Sequence, residues 1–531
     1  MSVRRIMGIE TEYGILAVHD PAANPMLLSA QVVTAYAAEG LAGGARARWD
    51  YSDEDPLCDA RGWRLDRGAA HPSQLTDEWE QELAEADGWG ITQRRRPAPT
   101  PEQGTVSNVI LPNGARFYVD HAHPEYSGPE VTNPRDAVVW DRAGDEILLR
   151  SSRLLAQIPG MPEVALYKNN TDGKGSSYGT HENYLMSRDV PFGDVVAMLT
   201  SFLVTRPVIT GAGRVGLGQR GERPGFQLTQ RADFLEAEVG LETTLRRPIV
   251  NTRDEPHADS ERFRRLHVIV GDANLLEVSA YLKLGTTSLV LWLLEQVGVP
   301  VDIASLALAD PVRAAHQVSH DLDLSQPLDL ADGRTMTALQ IQRVYAETVA
   351  AALEQQGQPD EITADVVRRW LDLLDRLATD PASCAREVEW LAKLRVLEGM
   401  RRRDGIDWDH PRLAALDLQW SDLRPERSVY RRLAAAGAVE LLVTEEEVEH
   451  AIAHAPTDTR AYFRGECIRR FPDEVSSASW DAVVFDVAGE RNLQRVPMPD
   501  PYRGTAEHVG ELLRTHADAG SLLSALAGSA T

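Results

Sequence analysis

Cysteine is scarce in this 531-residue chain: Cys58, Cys384 and Cys467 stand far apart and are odd in number. That excludes a disulfide framework and a thiolate metal site, so any metal would be held by oxygen and imidazole. Positive charge is also in short supply. Fifty-five Lys plus Arg face 80 Asp plus Glu, a formal net charge of −25, which repels nucleic acid and anionic membrane unless a local basic groove overrides the total. No apolar run reaches the ~18 residues of a membrane span, and the opening MSVRRIMGIE has no apolar core of a secretory signal. The composition predicts a cytoplasmic protein with no nucleic-acid and no membrane partner. What the chain does hold is 43% hydrophobic residues, enough for a large core and more than one domain.

The pattern along the chain predicts an opening strand over 5–16 and an amphipathic helix over 25–41. Residues 43–99 then mix dense charge with isolated tryptophans and keep no period. They read as a long, partly mobile insertion, and loops of that length are often functional. Strand-like runs return at 105–120, 163–168 and 261–281. Leu339, Val344, Val349 and Leu353 form one helical stripe, and Val366, Trp370, Leu373 and Leu377 another. After RPERS at 424–428 the pattern predicts helices near 429–436 and 444–454 and strands near 460 and 482–495. The expected division is a catalytic domain over 1–425, a small C-terminal domain over 426–501 and a weakly ordered tail over 502–531.

The chemistry lies on the polar faces of the strands. In NGARFYVDHAHPEYSGPE, Arg116, Tyr118 and Asp120 share one face, while Ala115, Phe117 and Val119 share the other. GIETEYGI likewise sets Glu10 beside Glu12, with Ile9, Thr11, Tyr13 and Ile15 opposite; RLHVIVGDANLLEV sets Arg265 beside His267, opposite Leu266, Val268 and Val270. One such face is what a solvated sheet shows, but several together point to a site. Two neighbouring carboxylates repel unless a cation lies between them or one is protonated. Glu10, Glu12, Glu125 and His267 suit Mg²⁺, and Arg116, Arg231 and Arg253 could clamp phosphate oxygens. GAGRVG at 211–216 matches a dinucleotide fingerprint, but GLGQRGERPGFQ follows it and cannot open a helix, so the stretch reads as a loop. KNNTDGKGSSYGTHENYL, with His181 and Glu182, suits phosphate wrapping or ordinary turns.

RRIMGIETEYGI, NGARFYVDHAHPEYS, LYKNNTDGKGSSYGTHENYL, GFQLTQRADF and RLHVIVGDANLLEVS, in this order, resemble the Pup ligase and depupylase family of the glutamine synthetase-like superfamily, to about residue 500. The resemblance implies an α+β fold, a curved antiparallel sheet cradling ATP with helices behind it, plus the small C-terminal domain. It implies Glu10, Tyr118, Glu125, His181 and His267 at or near Mg²⁺, with Glu12 added. It also implies Arg116, Arg231 and Arg253 on phosphates or the substrate carboxylate, Trp480 on the adenine and Asp120 as the catalytic aspartate. At Gly128 the chain departs from the family, which carries a hydroxyl residue of the ATP site there. Within the family one activity joins the C-terminal glutamate of Pup, the prokaryotic ubiquitin-like protein, to substrate lysines. The other hydrolyses that isopeptide bond and deamidates Pup's C-terminal glutamine. DHAHPEYS, the 43–99 insertion and HDPAANPMLLSAQVV resemble the hydrolytic branch, with the ligase as the alternative. The implied partners are Pup and pupylated proteins, with the proteasomal ATPase as a further one. Pup is expected to dock in a local groove of arginines and apolar side chains, and the insertion to gate the entrance.

Overall fold

The computed structural model describes residues 3–39, 47–52, 54–70, 108–244 and 246–528. At its centre is a six-stranded antiparallel sheet in the order Phe263–Val268, Thr180–Ser187, Met7–Glu12, His123–Ser127, Arg116–Asp120, Asn108–Ile110. The expected alternation therefore holds strand by strand. Ile9, Phe117, Tyr126, Tyr184, Leu266 and Val268 are buried in the main core, and most charged residues of the same strands are left on the opposite face; Glu182 and Arg264 instead share the core face, where Glu182 accepts from Arg206 and Arg264 donates to the Val190 carbonyl.

Helices back the apolar face. Pro25–Ala38, started by Pro25 and capped by Asn24, packs on strands Arg116–Asp120 and His123–Ser127, and Pro134–Gln157 lies beside it. Gly144 lets that second helix come close: a Cβ there would meet the Tyr126 ring at 2.4 Å. Between sheet and helix runs a buried polar seam. Thr11 and Tyr13 donate to Asp141 and Asp145 at 3.4 and 2.8 Å, and the Lys168 ammonium donates to both carboxylates at 2.7 and 3.1 Å. One cation is thus shared by two buried carboxylates, and although Lys168 opposes it, burial together with Asp145 raises the Asp141 carboxyl. The stripe helices form as expected, Ala338–Gln356 and Glu361–Thr379, with Val366, Trp370, Leu373 and Leu377 all buried.

Four expectations need correction. The 261–281 run is a strand only to Val268; Glu277–Val297 is a helix, buried nearly all round, so its unbroken apolar run does not separate the two states. Near 460 the chain is helical, Ala461–Arg470, burying Ala461, Arg464, Cys467 and Ile468 on one side. The tail forms two helices, Ala506–Thr515 and Ala519–Gly528, whose Leu513, Ala519 and Leu522 enter a second core with Phe463, Phe471, Val475 and Phe485. Three small apolar anchors suffice once a partner surface is present, and its polar composition concealed that. The cores also separate later than residue 426, since Val443, Val448, Ala451 and Ile452 belong to the main core.

The insertion contributes to the second core as well. Arg48–Trp49 pairs in parallel with Val475–Ala478, extending the small sheet of Val475–Ala478, Ala482–Phe485 and Gln494–Pro497, and Trp49 is buried. Of 43–99, residues 43–46, 53 and 71–99 lie outside the described residues.

One ion cluster clamps the C-terminal unit to the central sheet. Glu130, just past the His123–Ser127 strand, accepts from Arg460 Nε at 2.7 Å and from the Arg464 guanidinium, which also donates to the Gly114 carbonyl. Burial works against the Glu130 charge, but the two arginines win and hold its carboxyl at about 2 rather than 4.5. A lowered folded-state pKa contributes stability that is complete above about 4.5 and fades as pH falls toward 2. Glu130→Gln should therefore lose on the order of 3 kcal/mol at pH 7. Urea denaturation should show the gap to wild type narrowing at pH 4, and a gap independent of pH would contradict the clamp.

Candidate active site

The register of the sheet assembles the charged face. Glu10 stands opposite His181 on one side and Ser127 on the other; Glu12 is opposite Glu125, and Glu125 opposite Tyr118. Asp120 ends its strand opposite His123, across a two-residue turn at His121 and Ala122. His121 adopts φ +52°, the positive value that such tight turns require at their first residue. HAHPE thus closes a hairpin that returns Glu125 beside Tyr118.

Two groups of potential ligands result: Glu10, His181 and His267, and Glu12, Asp120 and Glu125, each with ligand atoms within 4.8 Å of one another. The first is well braced. Glu10 accepts from Asn183 at 2.9 Å and lies 3.4 Å from His181 Nδ1 and 3.8 Å from Arg265. Burial opposes its charge, but these partners keep its carboxyl below the usual range. His267 Nδ1 lies 2.9 Å from Asn183 Oδ1, which frees Nε2 as a ligand. Burial and Arg265 keep that imidazole well below its ordinary pKa, hence neutral.

The second group is not balanced. Glu12 takes a backbone bond from Gly179 at 2.7 Å and lies 3.2 Å from His123, and despite burial these partners hold it at about 2. Among the described residues no cation lies within ion-pair distance of Glu125. Burial, then Asp120, Glu12 and Glu10, push its carboxyl well above the usual range. A row of carboxylates facing one another, one forced to keep its proton, is the donor set of a hard divalent cation, and Mg²⁺ fits it. Gly179 completes the cradle: a Cβ there would fall 2.6 Å from His181 Nε2 and 2.7 Å from Glu12 Oε1.

Glu10, Arg116, Tyr118, Asp120, Glu125, His181, Arg253, His267 and Trp480 line one open cavity of about 860 Å³ of empty volume. Asp120 stands at its lip, its side chain 27% exposed and 2.7 Å from His121 Nδ1. Burial and Glu125 push the Tyr118 phenol well up, so it keeps its proton. Beside the cavity an apolar slot runs under Trp480, lined by Ile6, Met7, Ile9, Gly128, Pro256 and Pro501. The structure does not bring Arg231 to the cavity wall. It is 1% exposed, donates to the Thr180 carbonyl at 3.2 Å and feels Arg247 nearby; burial and that neighbour lower it to about 9.

The described part of the insertion forms a wall. Arg116 is held between the Tyr118 and Trp49 rings, 3.8 and 4.3 Å from their centroids, and donates to Tyr51 and Asn108. Trp49 packs edge-on to Trp480 at 5.1 Å and donates to Glu54. Ala60 and Cys58 bond to Thr252 and Asp254, fixing the segment that carries Arg253 and Glu255. These residues are ordered parts of the site.

Residues 5–484 match the family model described as Pup-ligase protein. The chain belongs to the Pup-ligase protein family. The Pup deamidase/depupylase of Mycolicibacterium smegmatis is 52% identical over 512 residues, 96% of this chain and 97% of that protein. The Pup–protein ligase of Acidimicrobium ferrooxidans is 40% identical over 416 residues, 77% of this chain and 90% of that one. Among solved structures, the complex between Pup and its ligase PafA aligns at TM-score 0.74 and 31% identity, covering 99% of this chain and 94% of that one. PafA in complex with ADP aligns at 0.69 and 33%, covering 86% and 97%. These likenesses bear out the α+β fold within this family.

Several site residues were missed. Asn183 sits two positions from His181 on the same face of the Thr180–Ser187 strand, so counting alternation through that stretch would have found it; Arg265, which alternation does set beside His267, was given no role. Tyr51, Glu54, Glu255 and His257 also line the cavity, but lie in stretches without a period and gave no such signal. The acidic row makes a measurable demand. Glu125→Gln should weaken Mg²⁺ or Mn²⁺ binding at least tenfold, and wild-type titrations in buffers of different ionisation enthalpy should show proton release that the variant lacks. Unchanged affinity would remove Glu125 from the ligand set.

Proposed function

We propose that the protein is a cytoplasmic depupylase and Pup deamidase. It hydrolyses the isopeptide bond between the C-terminal glutamate of Pup and a substrate lysine, and the side-chain amide of Pup's C-terminal glutamine, with ATP and Mg²⁺ bound. The observation that carries this reading is the match to a Pup deamidase/depupylase along 96% of the chain, against 77% for a ligase at lower identity. Asp120 at the lip of the cavity supports it. Pup and pupylated proteins are then the partners, and the proteasomal ATPase a further one.

An amide, unlike a free carboxylate, needs no activation by phosphate transfer before it is cleaved. Magnesium-bound nucleotide, when present, supplies fixed charge that polarises the carbonyl to be attacked. Everything else falls to the chain. Glu10, Glu12, Glu125, His181 and His267 hold the cation, with Tyr118 beside them. Arg116 and Arg253 line the phosphate side, and Arg231 braces the floor behind Thr180. Trp480 offers its face to the adenine. Asp120 is left to act on the carbonyl, as the attacking oxygen or as the base for an attacking water or phosphate. Its position one residue before the turn sets it at the mouth, where a tethered side chain can reach it.

Asp120→Asn should reduce release of a lysine substrate from its Pup conjugate by on the order of 10³-fold or more and leave ATP affinity within a few-fold. Normal release by the variant would end the assignment. The same purified protein, given free Pup, ATP and a lysine protein, should form no conjugate; conjugate formation would favour the ligase reading. Docking of Pup falls to the groove beside the 168–179 loop, where Arg214, Arg220 and Arg223 and the apolar Val215, Trp408 and Leu418 stand among the carboxylates Asp172, Glu222, Asp409 and Asp417. Arg220→Ala with Arg223→Ala should raise KM for Pup conjugates several-fold at nearly constant kcat, and a fall in kcat alone would place docking elsewhere.

A further inference from the structure

Five residues line both the apolar slot and the metal-lined cavity: Glu10, Ser127, His257, Arg265 and Trp480. If the base takes the slot and the phosphates take the cation side, the sugar must cross this junction. Four of the five are already engaged. Glu10 and Arg265 bond to Asn183, Arg265 also to the Glu255 carbonyl, Ser127 lies 3.4 Å from Tyr118 and Glu125, and the Trp480 ring packs on Trp49 and Arg464. His257 differs. Among the described residues its half-buried ring meets no hydrogen-bond partner, so it brings a donor and an acceptor to the junction unspent.

Its backbone is also unusual. His257 adopts φ +45°, a left-handed conformation uncommon for a residue with a side chain. Such conformations persist where the surroundings impose them and gather at ligand sites. Here the imposing elements are on either side: Asp59 bridges to Arg253 and accepts from Thr252, and the Asp259 amide and carbonyl are bonded to Pro499 and Phe263. Burial and the arginines 265, 460, 116 and 253 keep the imidazole well below its ordinary pKa, so it offers one donor nitrogen and one acceptor nitrogen.

We propose that His257 is the ribose-reading residue of the nucleotide site, accepting from or donating to a sugar hydroxyl and so selecting ribonucleotides over deoxyribonucleotides. This rests on the nucleotide reading given above. The test is calorimetric titration of the full chain, with Mg²⁺, by ATP, 2′-deoxyATP and 3′-deoxyATP. Wild type should bind at least one deoxy analogue roughly three- to tenfold more weakly than ATP, the size of one neutral hydrogen bond. His257→Gly, which accepts the positive φ, and His257→Phe, which keeps the ring, should bring the three affinities to within about twofold. A residue that merely shapes the loop would change all three together and leave their ratio untouched, and that result would overturn the assignment. So would a wild type that binds all three alike, or folded variants that bind no nucleotide. Failure of wild type to bind ATP at all would instead bring down the nucleotide reading itself, and this inference with it.

Discussion

The constraint that organises this molecule is the crowding of carboxylates on one sheet face. Glu12 and Glu125 stand directly opposite each other on paired strands, Glu10 is two residues away and Asp120 completes the second ligand group. Like charges directly opposite destabilise a sheet, and the surroundings answer for only part of the row. His123, Gly179, His181, Asn183 and Arg265 keep Glu10 and Glu12 ionised; for Glu125 the bond from Tyr118 is outweighed by burial and the neighbouring carboxylates. The fold therefore carries a charge deficit at one place, and a ligand that fills it returns binding energy to the folded state.

A face held under such repulsion needs a rigid support. The other side of the sheet provides it with the Lys168, Asp141 and Asp145 seam, in which every charge has a partner, tied to Thr11 and Tyr13 of the segment that bears Glu10 and Glu12. Replacing one member would strand a buried charge, so the seam specifies the register of sheet on helix as well as holding it. The two faces of that segment thus differ: behind, one buried ammonium bridges two carboxylates, and in front the carboxylates face one another.

Much of this was legible in the sequence because a period of two sorts side chains by face without knowledge of the partner strands. Arg116, Tyr118 and Asp120, Glu10 with Glu12, and Arg265 with His267 all emerged that way, and the structure brings all but Glu12 to one cavity, with Glu12 grouped beside Asp120 and Glu125. What alternation cannot supply is depth. Arg231 carries the same charge as Arg253 and lies beneath the floor, not on the wall. Nor could it read the insertion, where Trp49 and Tyr51 follow no period yet hold Arg116 between aromatic rings. The tail misled for the related reason that its apolar anchors are few and find their pocket only through chain distant in sequence.

The division between floor and mouth bears on how one fold serves opposite reactions. The carboxylate row lies within the sheet, fixed by strand register. Asp120 lies at the end of its strand, and its setting depends on the turn at His121 and Ala122, on Ser29 of the first helix, which donates to the Ala122 carbonyl, and on the neighbouring 47–70 wall. A change in those elements would alter what reaches the aspartate, and whether water or an amine accompanies it, without moving a carboxylate of the row. The direction of reaction is in this view a property of the mouth, where the chain's irregular segments meet, and the capacity to hold a charged nucleotide is a property of the floor.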